Sequence, residues 1–488
     1  MTAGFPYLSA ILLAPALGLL VILFLPHDNR RAVRWVSLVS AGVCLLLSIY
    51  VYAAYDRAAA GLQLVERVSW VQSLGIFYYL GVDGINLPMV LLTSIVFFTG
   101  VWTTWDLRHR VKEFFALMLL MMVGVYGVFL SLDLFFLFVW YDVSLFPMYP
   151  LIAIWGSTRK EYGALKLTLY LLAGSALVLP GILYVYFQSG LFTFDLVMIA
   201  QAGLPPEAQY LGFFLFLFGF GVLAGLWPFH TWSPVGHVAA PTAVSMIHAG
   251  VLMKLGAYGV LRVGMFLCPQ GLADWAPLFA LLATVGIVYG AFVGLAQTDL
   301  KYVIGYSSVS HMGLVSLGLA TMSVGGISGA VFQMFAHGIM TALFFSSVGH
   351  VYDRTHTKLI PELGGMAKVM PRASFFFILA ALAGIGVPCL ASFWAELLVF
   401  INGVKAYPVL GVFAVLGLVV SALFMLRVVQ KTFYGEKNER HAAAPDMTLV
   451  MAVPRALLAG TILLFGLLPR LALDLINTGV TPLVGMFK

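Results

Sequence analysis

Three ionisable residues stand inside long apolar runs: Asp142 in FLFVWYDVSLFPMYP, Lys254 in GVLMKLGAYG and Glu396 in ASFWAELLVF. A charge at bilayer depth is costly and marks an ion or proton path. Taken out of water, a carboxylate or an ammonium favours its neutral form, so each can load and release a proton. A structural alternative stands beside each. Asp142 could be glue with a fixed partner, and Glu396 a carboxylate near a membrane mouth. Lys254 could reach back to an interface, but about a dozen apolar residues precede it, which makes that reach a poor fit. Four histidines in apolar runs, His230, His248, His311 and His337, are protonatable partners. His311 lies among Ser307, Ser308 and Ser310, and His337 precedes Gly338. Such small and hydroxyl-bearing neighbours suit a hydrated or closely packed interior. A lone membrane histidine serves a helix–helix hydrogen bond equally well. His248 lies six residues before Lys254. At about 100° per residue the two point to different faces of one helix.

The elements that carry these residues are membrane helices. Of 488 residues, 62% are hydrophobic and 9% charged, against about 25% charged in a soluble domain. The fold class is therefore all-α and polytopic, a single transmembrane domain over 1–488. Fourteen apolar segments approach the spanning length of about 20 residues. Segments one to seven are 7–25, 33–55, 87–104, 114–132, 134–154, 165–187 and 211–229. Segments eight to fourteen are 242–267, 275–296, 303–319, 327–351, 373–400, 410–433 and 450–468. The longest polar connections are 56–86 and 189–210. With the N-terminus outside, nineteen of the 26 Lys and Arg fall in inner loops. Six fall outside (Arg57, Arg67, Arg262, Lys405, Arg470, Lys488). The positive-inside rule then places both termini outside.

Stretch 223–262 holds Pro228, Pro234 and Pro241, His230, His237 and His248, and Lys254. A broken helix at membrane depth is tolerated where its freed backbone faces protein or a water-filled cavity. Segment seven is broken here, and segment twelve is interrupted at Gly386-Val387-Pro388. Breaks five segments apart suggest two five-helix repeats, about 113–267 and 275–433. Helices one to three (about 1–104) precede them and a final helix (about 450–470) follows. An odd number of spans per unit makes the second repeat inverted. No basic stretch precedes the first apolar run, so it is expected to be a retained span. Cys44, Cys268 and Cys389 are isolated, with no CxxC or Cys/His spacing, so neither disulfide nor metal site is expected. No Gly-rich nucleotide loop is present, and the basic residues read as topology signals, not a nucleic-acid surface.

Several stretches, in order along the chain, carry a resemblance: GVDGINLPMVLLT (81–93), LSLDLFFLFVWYDVSLFPMYPLIAIWG (130–156), WPFHTWSPVGHVAAPTAVSMIHAGVLMKLGAYGVLR (227–262), QTDLKYVIGYSSVSHMG (297–313), FQMFAHGIMTALFF (332–345) and GIGVPCLASFWAELL (384–398). The chain resembles the antiporter-like membrane subunits of respiratory complex I, the NADH–quinone oxidoreductase. Among these it is similar to chain M, called subunit 4 in mitochondria. Sister chains usually carry a lysine where this chain has Glu396. The resemblance implies a hydrated axis at mid-membrane with an ionisable residue on segments five, seven, eight and twelve. Carried over, these fall on Asp142, Lys254 and Glu396, with His311 and His337 bridging. Two departures stand out. Asp142 is a methylene shorter than the family's glutamate. The family's segment-seven lysine falls on Leu223, and its LPDAH is here SPVGH. In the family that lysine is thought to pair with the segment-five carboxylate.

The resemblance implies a proton-translocating membrane-arm subunit. Asp142, Lys254, His311, His337 and Glu396 form its proton path, and His230 and His248 are further candidates. No catalytic residue and no cofactor are expected in this chain; NADH, FMN, iron–sulfur clusters and quinone are expected elsewhere in the complex. Expected partners are neighbouring membrane-arm subunits, with chains L and N adjacent, and the bilayer. The alternatives are a subunit of a cation/proton antiporter or membrane-bound hydrogenase, and a copy that no longer pumps because of Leu223.

Overall fold

The computed structural model describes residues 5–487; Lys488, counted above on the less basic side, lies outside them. Among the described residues, twelve helices are long and apolar enough to span a membrane. Two further spans are the shorter helix Leu87–Thr103 and the interrupted pair Pro371–Gly384 and Ala391–Ala406. These match the fourteen predicted segments one to one. The apolar cores of Thr242–Met265 and Val324–Thr355 are buried throughout, and that of Leu300–Ala320 nearly so. These are segments eight, eleven and ten, which carry Lys254, His337 and His311. Outer helices such as Tyr7–Phe24 and Pro408–Phe433 bury only a third of their residues. The ionisable residues of the middle segments therefore sit on the best-shielded helices.

Hydrogen bonds between loops sort the connections into two ends. At the basic end, Arg34 donates to Leu107 O at 2.7 Å, Trp155 to His109 O at 2.8 Å and Arg372 to Met447 O at 2.8 Å. At the other end, Tyr52 donates to Leu471 O at 2.7 Å and Tyr407 to Ala320 O at 3.2 Å. This is the grouping that fourteen alternating spans require.

The two halves repeat one another in backbone detail. Asp133 caps the helix Leu134–Leu145 by accepting from Phe135 and Phe136 N–H, and Asp299 caps Leu300–Ala320 by accepting from Lys301 and Tyr302 N–H. Each capped strand-like turn then pairs with the loop two spans later. Leu134 N–H donates to Phe194 O and Leu196 N–H to Leu132 O; Leu300 N–H donates to Lys358 O and Ile360 N–H to Thr298 O. The first pairing lies at one end of the bundle and the second at the opposite end, as inversion demands. The breaks also match. Gly225 (φ 75°) and Gly386 (φ 74°) are left-handed. Gly225 and Leu226 N–H donate to Val222 and Gly221 O, while Gly386 and Val387 N–H donate to Ala383 and Leu382 O. Both are Schellman endings, followed by proline.

Three features were not predicted. Connection 56–86 contains an antiparallel hairpin, β1 (Gln63–Val71) and β2 (Ile76–Val82). Its Glu66 carboxylate accepts from Leu8 N–H at 2.8 Å and Ser9 N–H at 3.0 Å, capping the first helix. A final helix, Arg470–Gly485, packs Leu475, Ile476, Val480 and Leu483 inward. Segment five is interrupted at Phe146–Pro147, between Leu134–Leu145 and Met148–Trp155.

Arg262 corrects the charge count. It was assigned to an outer loop, but it is 4% exposed and ion-paired to the buried Asp83 at 2.6 Å. The turn GVDGIN is built for this pair: Asp83 Oδ1 also accepts from Ile85 and Asn86 N–H. Tyr258 and Asn86 donate onward to Phe129 O at 3.1 and 2.8 Å. Removing one partner of a buried ion pair costs about 3–5 kcal/mol. Asp83→Ala is therefore expected to lower the midpoint of thermal unfolding and the yield of assembled complex on native gels. An unchanged midpoint would show that the pair contributes nothing.

Candidate proton-relay site

Lys254 lies where its helix widens. His248–Leu252 is a π-turn, and Lys254 lies two residues beyond its end; such turns recur at functional sites. The Lys254 ammonium donates to Ala249 O, the carbonyl five residues back, and contacts His337 Nδ1 at 2.8 Å. Gly250 and Gly338 set this distance. Each glycine's Cα faces the other's carbonyl, and a Cβ on either would meet that oxygen. Segments eight and eleven therefore cross with backbones touching, and Lys254 reaches His337 across the crossing.

From His337 the contacts continue. Its ring lies 5.0 Å from that of His311, nearly parallel at 29°. His311 Nδ1–H donates to Ser307 O at 2.8 Å, since a carbonyl only accepts. This leaves Nε2 facing Glu396 Oε1 at 3.5 Å. Gln333 Nε2 lies at the same distance from that oxygen. The tautomer follows from these partners. His311 and Glu396 thus share one proton, held as a carboxylic acid with a neutral imidazole or as a carboxylate with an imidazolium. When Lys254 carries its proton it can only donate, so His337 Nδ1 accepts and the imidazole proton lies on Nε2, an atom without a partner among the described residues. Lys254, His337, His311 and Glu396 are all buried. Together they form a continuous line of groups that can each hold or pass a proton.

Gly386 positions the far end. Its left-handed φ of 74° ends the first half of segment twelve, and a Cβ there would overlap Glu396 Oε2. A non-glycine residue in this conformation costs about 1–2 kcal/mol. Gly386→Ala is therefore expected to displace the carboxylate from His311 and reduce proton translocation several-fold, with assembly largely kept. Wild-type pumping by that variant would remove Gly386 from the site.

The remaining predicted residues stand apart. Asp142 is half-buried, with Ser175 Oγ donating to it at 2.8 Å. No basic group pairs with it among the described residues. Leu223 is fully buried on the helix Pro206–Ala224, whose Phe220 packs on Tyr141, the neighbour of Asp142. His230 packs on Tyr289, 5.0 Å between ring centres. His248 stacks on Trp232 and lies 4.3 Å from His237. All four ring nitrogens of His237 and His248 are buried without partners among the described residues. His237 was noted in the sequence but not selected; the pairing depends on folding segment seven's second half against segment eight, which no spacing encodes.

Fourteen spans in two inverted repeats, each with a broken helix, around a buried Lys-His-His-Glu line define an antiporter-like membrane subunit. The chain belongs to the family described as NADH:quinone oxidoreductase/Mrp antiporter, transmembrane, which matches residues 131–423. It is 37% identical over 445 residues to NAD(P)H-quinone oxidoreductase chain 4 2 of Microcystis aeruginosa, covering 89% of this chain and 80% of that one. It is similar to a chain of respiratory complex I from Thermus thermophilus: TM-score 0.90, 27% identity, 98% of this chain and 100% of that one. A chain of the Mrp complex from Dietzia sp. shares the fold, with TM-score 0.86, 21% identity, and 99% and 98% coverage.

Proposed function

We propose that this chain is the proton-translocating, antiporter-like membrane-arm subunit of a complex I-type NADH–quinone oxidoreductase. Electron transfer from NADH to quinone takes place in other subunits, and this chain couples to it by moving protons. The carrying observation is the buried succession of Lys254 and His337 at 2.8 Å, the His337 and His311 rings at 5.0 Å, and His311 and Glu396 at 3.5 Å. Lys254 holds the proton and gives it to His337 Nδ1. His337 releases its Nε2 proton towards the His311–Glu396 pair, by a ring turn or across one water. Glu396 delivers it to the exit or to the next subunit, and chains L and N are the neighbours this reading places beside the chain. The membrane is a bacterial inner membrane, with the basic loops inside and both termini outside. Asp142 gates from the near side, while His230 and His248 stand beside the line.

Glu396→Gln tests this reading. The amide keeps the shape and cannot carry a proton. In the assembled complex in sealed vesicles, protons moved per electron should fall while uncoupled quinone reduction persists. An unchanged ratio would reject the relay. One observation favours a second reading, a copy that no longer pumps: Leu223 puts a buried apolar side chain where the resemblance implies a lysine. The same ratio separates the two, because a silent copy is indifferent to Glu396→Gln.

A further inference from the structure

A cavity of about 1030 Å³ opens at the basic end of the bundle, away from the relay. Its walls are the cytoplasmic ends of segments two, three and fourteen, and its floor is the last turn of segment eleven. Four of the chain's ten tryptophans line it: Trp35, Trp102, Trp105 and Trp155. Trp35 and Trp105 meet edge to face, 5.2 Å between centres. Leu38, Val450 and Pro454 continue the apolar wall towards the lipid-facing surface.

The floor is cationic and incompletely satisfied. Lys301, Arg108, Arg354 and Arg455 face the cavity against Asp106 and Asp353, a surplus of positive charge. Arg455 is 4% exposed. It donates to Met451 O at 2.5 Å and Ser346 O at 2.7 Å, and its Nε has no partner. His350, 5% exposed, also lines the cavity, and its Nε2 has no partner either. Leaving a buried polar group unpaired costs about 1–3 kcal/mol, so Arg455 Nε–H calls for an acceptor from outside the chain, and His350 donates to the same acceptor when Nε2 carries a proton. An anionic oxygen supplies it.

We propose that this cavity binds an anionic glycerophospholipid from the inner leaflet. The phosphodiester sits against Arg455, His350 and Arg354, the tryptophans hold the interfacial region, and the acyl chains run along Leu38 and Val450. Basic pockets between spans on the cytoplasmic side bind anionic headgroups in this manner, and tryptophan belongs at that level of the bilayer. A free phosphate would use the cationic floor and leave the apolar wall bare, which favours the lipid. The bound lipid ties segments two and three, outside both repeats, to segment fourteen.

The test uses the intact complex exchanged into vesicles of equimolar phosphatidylcholine and phosphatidylglycerol. It is then extracted in mild detergent, and the retained lipid is measured by mass spectrometry. Wild type should retain phosphatidylglycerol selectively. Arg455→Met should lose at least tenfold of that selective retention, and so should Arg354→Ser, an exposed change that leaves the core intact if Arg455→Met fails to assemble. Retention equal to wild type in assembled Arg354→Ser would overturn the proposal. So would inorganic phosphate displacing the phosphatidylglycerol, which would make the site one for free anions. A high-resolution map with a neighbouring subunit's side chains in the cavity would overturn it as well.

Discussion

Replacing Lys254 with methionine is expected to remove this subunit's entire share of proton translocation. Methionine matches the length and bulk of lysine, so the crossing of segments eight and eleven at Gly250 and Gly338 stays packed. What is lost is the donor to Ala249 O and His337 Nδ1. Leaving His337 Nδ1 unpaired costs about 1–3 kcal/mol of stability. The larger consequence is that no group remains at that position to hold a proton, so the first step is absent. Lys254→Arg sharpens the result. A guanidinium keeps the charge but cannot be deprotonated in a protein. If Lys254 were only an electrostatic anchor for His337, arginine would restore function; as a proton carrier it cannot be replaced by arginine. Both variants should therefore show the same drop in protons moved per electron, with quinone reduction still measurable in the uncoupled state. Rescue by arginine would reduce Lys254 to a positioning residue, and wild-type stoichiometry in the methionine variant would remove it from the path.

The proposed relay was legible in the sequence to the extent that burial was. Lys254 and Glu396 stand out because a charge in an apolar run has no cheap alternative, and the structure buries both. Their connection was not legible from spacing. His337 and His311 lie on separate spans, and only the crossing at Gly250 and Gly338 brings His337 to Lys254. The inversion was inferred from broken helices five segments apart, while its clearest marks are short: Asp133-Leu134 against Asp299-Leu300, and left-handed Gly225 against Gly386. These dipeptides and single glycines fall below any identity threshold, yet they fix the same cap and the same Schellman turn. Arg262 was misplaced for the opposite reason. A basic residue near a span's end reads as a loop charge, and its buried partner Asp83 is 179 residues away. The helix Arg470–Gly485 did carry a readable signal, apolar positions at helical spacing, but it does not span, and a search for spans passes over it.

Leu223 gives the second large effect, in a double substitution. It is fully buried in the last turn before Gly225. A lysine placed there alone among apolar groups would cost several kcal/mol and prevent assembly. The resemblance implies a nearby acceptor, since the family's lysine at this place pairs with the segment-five carboxylate. The packing supports it: Ser175, which donates to Asp142, follows Gly174, whose Cα abuts Gly219 O and Val222 on the helix of Leu223. Asp142 thus hangs from a helix that packs directly on the helix of Leu223. Leu223→Lys should then assemble at near wild-type yield, because Asp142 neutralises the new charge. Asp142→Asn alone should be mild, since it removes a carboxylate with one hydroxyl donor. The combination should fail, with a coupling energy of about 1–3 kcal/mol between the sites, read from thermal unfolding of the purified complex. Additive effects would place Asp142 out of reach of segment seven, so that losing the family's lysine cost this chain nothing electrostatically. Coupling would instead mean that the acceptor stands in place without the basic partner the resemblance implies, and that proton transfer in this chain begins at Lys254 with no charged pair ahead of it.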